Sequence, residues 1–330
     1  MKRTTKLRFL AFSAVALGLS LTACMSSSGR TDEIPDEVTP EIARASEQAR
    51  QYERAAELWA RLHLDSGGTE LEPYLGCGRS LLQAGEVRGA CAIVEQGLAV
   101  FPRNVDLYLL QGEILSAANF HRAAERCYET AVILDRSRAE AQLGLGRVRV
   151  ELGLNHKALE PLDAALALQP DDLETLRLFA LASEGAELTV QAFEARRRLL
   201  ELEQSPTPYR YVSTARLAFH PDVRASYPDA LELARVWIQQ AIELDPQDSE
   251  AHYLLACDLA LRGLHEAARA SFLRAVEVDP GNLEALSELA EYYHQQGDMD
   301  EADRFARMAL ELERDRRRRA LLESLLVESR

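Results

Sequence analysis

Apolar positions recur along this chain in threes and fours, the spacing of one face of an α-helix, and no stretch alternates as a strand would. The segment 267–280 (AARASFLRAVEVDP) shows the pattern clearly. Amphipathic helices are therefore predicted throughout, and they are copies of one another. A small-residue column made of Ala56, Ala90, Ala124, Ala158, Ala192, Ala234, Ala268 and Ala302 advances by 34 residues at six of its seven steps. The step from Ala192 to Ala234 is 42. A fixed period of this size means one supersecondary unit repeated along the chain.

Other columns keep the same time. Twelve residues before each alanine stand Gly78, Gly112, Gly146, Ala180, Ala256 and Ala290, small enough for two helices to approach closely. Five before it come Gly85, Asn119, Gly153, Gly263 and Gly297, residues that tolerate the left-handed backbone ending a helix. Eight after it runs a purely apolar column, Leu64, Leu98, Val132, Leu166, Leu200, Ile242, Val276 and Leu310. Twelve after it, Pro102, Pro170, Pro246 and Pro280 stop the second helix of a repeat.

These columns resemble the tetratricopeptide repeat, over roughly residues 37–316. The resemblance implies an all-α, right-handed α-solenoid of about eight helix-turn-helix repeats, starting at 37, 71, 105, 139, 173, 207, 249 and 283. Residues 317–330 are left as a C-terminal capping segment that would cover the last exposed face. Three repeats depart from the pattern. The first has Arg44 at the small-residue place, the fifth has Arg196 where a large apolar residue is usual, and the sixth carries eight extra residues between its helices.

A solenoid grows by stacking, so 330 residues need not divide into separate domains. The formal charge of −15 understates the acidity of the body. Residues 1–23 hold four basic residues and no acid, and without them 34 basic residues face 53 acidic ones. Such a body repels nucleic acid, which is excluded as a main partner. Glu72, Asp106, Glu140, Glu174, Glu250 and Glu284 all fall at the second place of their repeats, where acids favour the helix dipole and face solvent.

The N-terminus carries an address. A basic stretch (MKRTTKLR) leads into the apolar run Phe9–Leu21, too short to span a membrane and shaped like a secretory signal. It ends in Leu21-Thr22-Ala23-Cys24, which resembles the lipobox of bacterial lipoproteins. The resemblance implies cleavage after residue 23 and acylation of Cys24. Residues 24–36 are then the lipidated N-terminus and a small, polar tether. Several acyl chains hold a protein on a membrane far more firmly than one. Met25 follows the cysteine, without the aspartate that retains enteric lipoproteins in the inner membrane. This places the protein, by resemblance, on the outer membrane facing the periplasm.

Candidate chemistry is sparse. Cys77, Cys91, Cys127 and Cys257 show no CxxC spacing, and the usual role of a lone cysteine in a helical repeat is a small buried apolar residue. A bridge between Cys77 and Cys91, on opposite helices of one repeat, stands as the alternative. No histidine pair has metal-ligand spacing, and no phosphate-binding loop or nucleophile elbow occurs. No metal, no cofactor and no enzymatic activity are expected. Arg314–Arg319 (RDRRRR) is read as a solvated helix end, the alternative being contact with an anionic partner.

Tetratricopeptide arrays commonly bind peptides in the groove lined by first helices. The Lys and Asn of the best-known carboxylate clamp are absent, since their places hold Leu75 and Arg79, Leu109 and Glu113, Leu143 and Arg147, Tyr253 and Cys257. Arg79, Glu113 and Arg147 recur at one place in consecutive repeats and should line one surface as a mixed-charge strip. The sixth repeat offers a second candidate surface. Ser205–Pro208 and the insertion His220–Pro228 gather Tyr209, Tyr211, Phe219 and Tyr227, of which Tyr211 and Tyr227 are proposed anchors. The expectation is a lipid-anchored envelope scaffold whose partners are other envelope proteins or peptide segments. The plan of lipobox plus repeats is similar to pilotins and pilus-assembly lipoproteins. Adaptors of peptidoglycan hydrolases and outer-membrane assembly lipoproteins share it too.

Overall fold

A computed structural model describes residues 37–326, and Cys24 lies outside them. Eighteen helices and no strand occur among the described residues. They group into two compact bodies, one ending at Pro170 and one beginning at Asp171. The first body holds four helical hairpins: α1 (Pro40–Gln48) with α2 (Tyr52–Asp65), α3 (Glu72–Gln83) with α4 (Val87–Val100), α5 (Val105–Ala117) with α6 (His121–Leu134), and α7 (Ala139–Glu151) with α8 (Asn155–Leu168). The second holds four more: α9 (Leu173–Gly185) with α10 (Thr189–Leu202), α11 (Pro208–Ala218) with α13 (Ala230–Leu244), α14 (Ser249–Leu261) with α15 (His265–Val278), and α16 (Leu283–Gln296) with α17 (Met299–Leu312). The short α12 (Pro221–Ser226) interrupts the sixth repeat, and α18 (Arg316–Ser324) follows the eighth. This is the all-α tetratricopeptide architecture, each hairpin stacked on the next within its body.

Each hairpin is written locally in the sequence. Asn104, Asp172, Asp248 and Asn282 accept a hydrogen bond from the backbone N–H three residues on, which caps α5, α9, α14 and α16. Between the two helices of a repeat the backbone swings into the left-handed region at Gly85, Asn119, Gly153, Gly263 and Gly297. In the fifth repeat the same turn falls on Glu187 at φ 60°, and in the first on Arg50 at φ 57°, side chains where five other repeats keep glycine or asparagine. The alanine column is buried throughout, and the helices meet across it.

The cores follow from close approach. A Cβ at Gly78 would come within 2.9 Å of Val94 and Leu110, and one at Gly112 within 2.7 Å of the Tyr128 ring. Two further glycines, Gly76 and Gly144, seat the faces of Trp59 and Tyr128 in the same manner. Trp59, Ile93, Val94, Leu107 and Ile114 form one cluster of the first body, and Tyr128, Leu145 and Val148 another. In the second body the cores centre on Phe193, Trp237 and Ile238, and on Phe272, Leu286, Leu289 and Phe305. The apolar column eight residues after each alanine is a flank rather than the core. Its members are half-buried, and Leu64 is exposed.

The irregular repeats resolve by polar substitution. Arg44, at the small-residue place of α1, turns outward and pairs with Glu72 of α3. Arg196 of α10 lies against Glu184 and donates to Ser213 Oγ at 2.7 Å. The insertion of the sixth repeat is itself helical: Pro221 opens α12, and the Asp222 N–H donates to the His220 ring at 3.3 Å. Its one buried residue, Val223, plugs it into the core of the second body. The basic run is not the favoured end of a helix. Arg316–Arg319 form the first turn of α18, where the dipole opposes them, and Asp315 offsets this by capping the Arg317 and Arg318 N–H groups.

Candidate functional site

The first helices α3, α5 and α7 pack directly on one another in order. Because each repeats the same register, residues at one place form a row across all three. The fifth place gives Leu75, Leu109 and Leu143, the ninth Arg79, Glu113 and Arg147, and the twelfth Leu82, Ser116 and Val150. Leu109 is buried, while the other members of the two flanking rows are half-exposed. A charged row thus runs between two mostly apolar ones.

The charged row is a working electrostatic unit. Glu113 is open to water on one side, yet the groove crowds it, and this burial raises its carboxyl above the usual range. The positive charges of Arg147 and then Arg79 pull the other way. Arg79 also donates to the Leu75 carbonyl at 3.3 Å, tying it to its own helix. Beneath the row lies Tyr128, whose hydroxyl burial pushes up to about 12, so it stays neutral near pH 7.

The rim acids are not simply solvated. Glu72 pairs with Arg44, and Arg138 reaches Asp106 at 2.5 Å and Glu140 at 3.2 Å. In the second body Arg216 of α11 pairs with Glu250 of α14 in the same way. Glu72, Glu140 and Glu250 are therefore each bridged to an arginine of the preceding repeat, an arrangement that the dipole argument alone does not reveal.

Tyr211 and Tyr227 belong to the second body. Both are half-buried against its core, and the Tyr227 ring lies 5.3 Å from Phe193 with the Arg197 guanidinium 5.5 Å from its centroid. Tyr209 is the ring in that region left open to solvent. The insertion and the residues packed around it form an open cleft of about 460 Å³, lined by Glu184, Glu187, Thr189, Leu217, His220 and Asp222.

The four described cysteines are free thiols. Burial pushes Cys77 up to about 12 and Cys127 and Cys257 up to about 11, the opposite of an activated nucleophile. Among the described residues no cluster of potential ligands could hold a metal ion. No helix among them is long and apolar enough to cross a membrane.

Residues 109–172 and 253–316 match a family model described as tetratricopeptide repeat. The human Protein O-mannosyl-transferase TMTC3 is 26% identical over 261 residues, which is 68% of this chain and 28% of the human protein. The chain thus spans little more than a quarter of that relative's length. Among solved structures, MamA aligns with 51% of this chain and 97% of its own, at a TM-score of 0.46 and 19% identity. YrrB, described as a tetratricopeptide protein with an unusual peptide-binding site, aligns with 60% of this chain and 97% of its own. Its TM-score is 0.44 and its identity 18%. The chain carries tetratricopeptide repeats.

Proposed function

We propose that this chain is a lipid-anchored bacterial envelope scaffold that binds other proteins in the groove of α3, α5 and α7 and performs no chemistry of its own. The observation that carries the reading is the row Arg79, Glu113 and Arg147 set between half-exposed apolar rows. Apolar flanks supply area that gains by leaving water, while charges in a crowded groove fix register and partner choice. The anchor rests on the resemblance of residues 21–24 to a lipobox, and the outer-membrane, periplasm-facing address on Met25. Assembly of pili or of a secretion system is the role that suits the plan best, with the solenoid holding components in place. That it is not an enzyme rests on the lack of any catalytic motif in the sequence.

Photo-crosslinking residues placed at the half-exposed Leu143 and, as a reference on the second helix α6, at Ile133 test this in intact cells. Specific adducts from Leu143 that are missing from Ile133 are expected. Equal labelling at both positions, or none at Leu143, would reject the groove. For the anchor, Cys24→Ser should move the protein from the membrane fraction to the soluble one. A variant that stays on the membrane would reject lipidation there.

A further inference from the structure

Neighbouring helices pack at about 8–10 Å between axes. Because α3, α5 and α7 stack in order, the helix places that carry Arg79, Glu113 and Arg147 climb the groove by a step of about that size, in the order plus, minus, plus. A chain lying along the groove must answer with minus, plus, minus at the same step. The step then selects a backbone conformation.

A β-strand advances about 3.3 Å per residue and alternates faces, so a three-residue step of about 10 Å puts successive charges on opposite sides. Polyproline II advances about 3.1 Å with three residues per turn, so residues i, i+3 and i+6 lie on one edge about 9 Å apart. An α-helix meets the step only every seven residues or so, at about 1.5 Å per residue. It also keeps its carbonyls in its own hydrogen bonds. A polyproline II segment leaves every carbonyl free, and each guanidinium carries more N–H donors than one carboxylate uses. The same arginines can then hold both the side chain and the backbone of such a ligand.

We propose that the groove of α3, α5 and α7 receives an extended segment in polyproline II conformation with the pattern acid–x–x–base–x–x–acid, its base on Glu113 and its acids on Arg79 and Arg147. This rests on the scaffold reading and names the chemistry of the partner. The two remaining edges of the ligand face the half-exposed Leu75 and Leu143 on one flank and Leu82 and Val150 on the other, so x is apolar or proline. Proline at these places lowers the ordering cost of binding. A slip of three residues sets like charges against each other, so the register is single. Glu113 accounts for the central base: it is crowded by the groove, and a cation delivered by the ligand stabilises its charged form.

The full chain is titrated with three fluorescent fifteen-residue peptides of equal length, read by anisotropy. One carries acid–x–x–base–x–x–acid, one the inverted base–x–x–acid–x–x–base, and one the same charges at a seven-residue step. The first is expected to bind at least tenfold more tightly than either of the others. The triple variant Arg79→Glu, Glu113→Arg, Arg147→Glu should reverse the preference between the first two. Arg79→Gln with Arg147→Gln, which adds no like-charge contact, should abolish it, and helical circular dichroism checks that both variants fold. Equal binding of matched and inverted peptides, preference for the seven-residue step, or no binding overturns the proposal. Crosslinks from Leu143 in cells keep the two readings apart. If they persist while the peptides fail, the charge rule is wrong and the scaffold stands; if they too are missing, the scaffold reading falls.

Discussion

Single residues set the spacing on which the stack depends, and glycine does this in two opposite ways. At Gly144 the issue is space. An added Cβ would press into the Tyr128 ring, which is 3% exposed and pinned on its other side by Gly112. Alanine gains about 1 kcal/mol of helix propensity over glycine, but overpacking against a ring that cannot move costs more. Gly144→Ala should therefore lower stability by about 1–2 kcal/mol in urea unfolding, and an unchanged or raised midpoint would contradict the packing. At Glu187 the issue is conformation. Its φ of 60° costs a side-chain-bearing residue roughly 1 kcal/mol relative to glycine. Because Glu187 is exposed, Glu187→Gly should stabilise the chain by up to about 1 kcal/mol in the same assay. The fivefold recurrence of glycine or asparagine at this place was legible in sequence. The strain at Glu187 was not, since a lone glutamate in a turn looks like any solvated acid.

At the scale of helices, the columns of alanine and glycine were enough to place the hairpins, because each records a contact that every repeat must make. What stayed illegible was polar. Asp258 is a lone acid in the apolar run of α14, and its side chain is only 3% exposed, gripped by Arg235 of α13 at 3.0 Å and Arg262 at 3.4 Å. Helical periodicity cannot mark a carboxylate that is buried because its partners arrive from another element. The helix within the insertion of the sixth repeat is likewise illegible, since six residues are too few to show a period. The two sides of the Asp258 brace are unequal. Asp258→Asn releases two arginines that are nearly half-exposed and can be hydrated, at about 1 kcal/mol. Arg235→Ala with Arg262→Ala strands a buried carboxylate, at about 3 kcal/mol or more. If thermal melts rank the two variants in the opposite order, the brace is not what holds α13 to α14.

Across the molecule, stacked repeats give each hairpin only its neighbours for support, so damage at one hairpin spreads by steps rather than all at once. Acid supplies a clean way to see this. His63 of α2 is 9% exposed, lies edge-on to the Tyr74 ring at 4.6 Å, and has no hydrogen-bond partner on Nδ1 among the described residues. Burial lowers its pKa below the ordinary value of 6.5, so the folded state favours the neutral ring and the unfolded state takes the proton first. The stabilisation is complete above pH 6.5 and is lost as pH falls from there toward the lower folded pKa. Among the described residues the main packing at this hairpin is among α1, α2 and α3, so its loosening has little further structure to drag along. Hydrogen exchange between pH 7 and 5, corrected for the intrinsic rate, should lose protection first in α1 and α2. Protection in α5 to α8 should hold. His63→Gln should flatten this difference. A uniform loss along the chain, or an unchanged profile in His63→Gln, would show instead that the many surface carboxylates govern the acid response and that the stack opens as one.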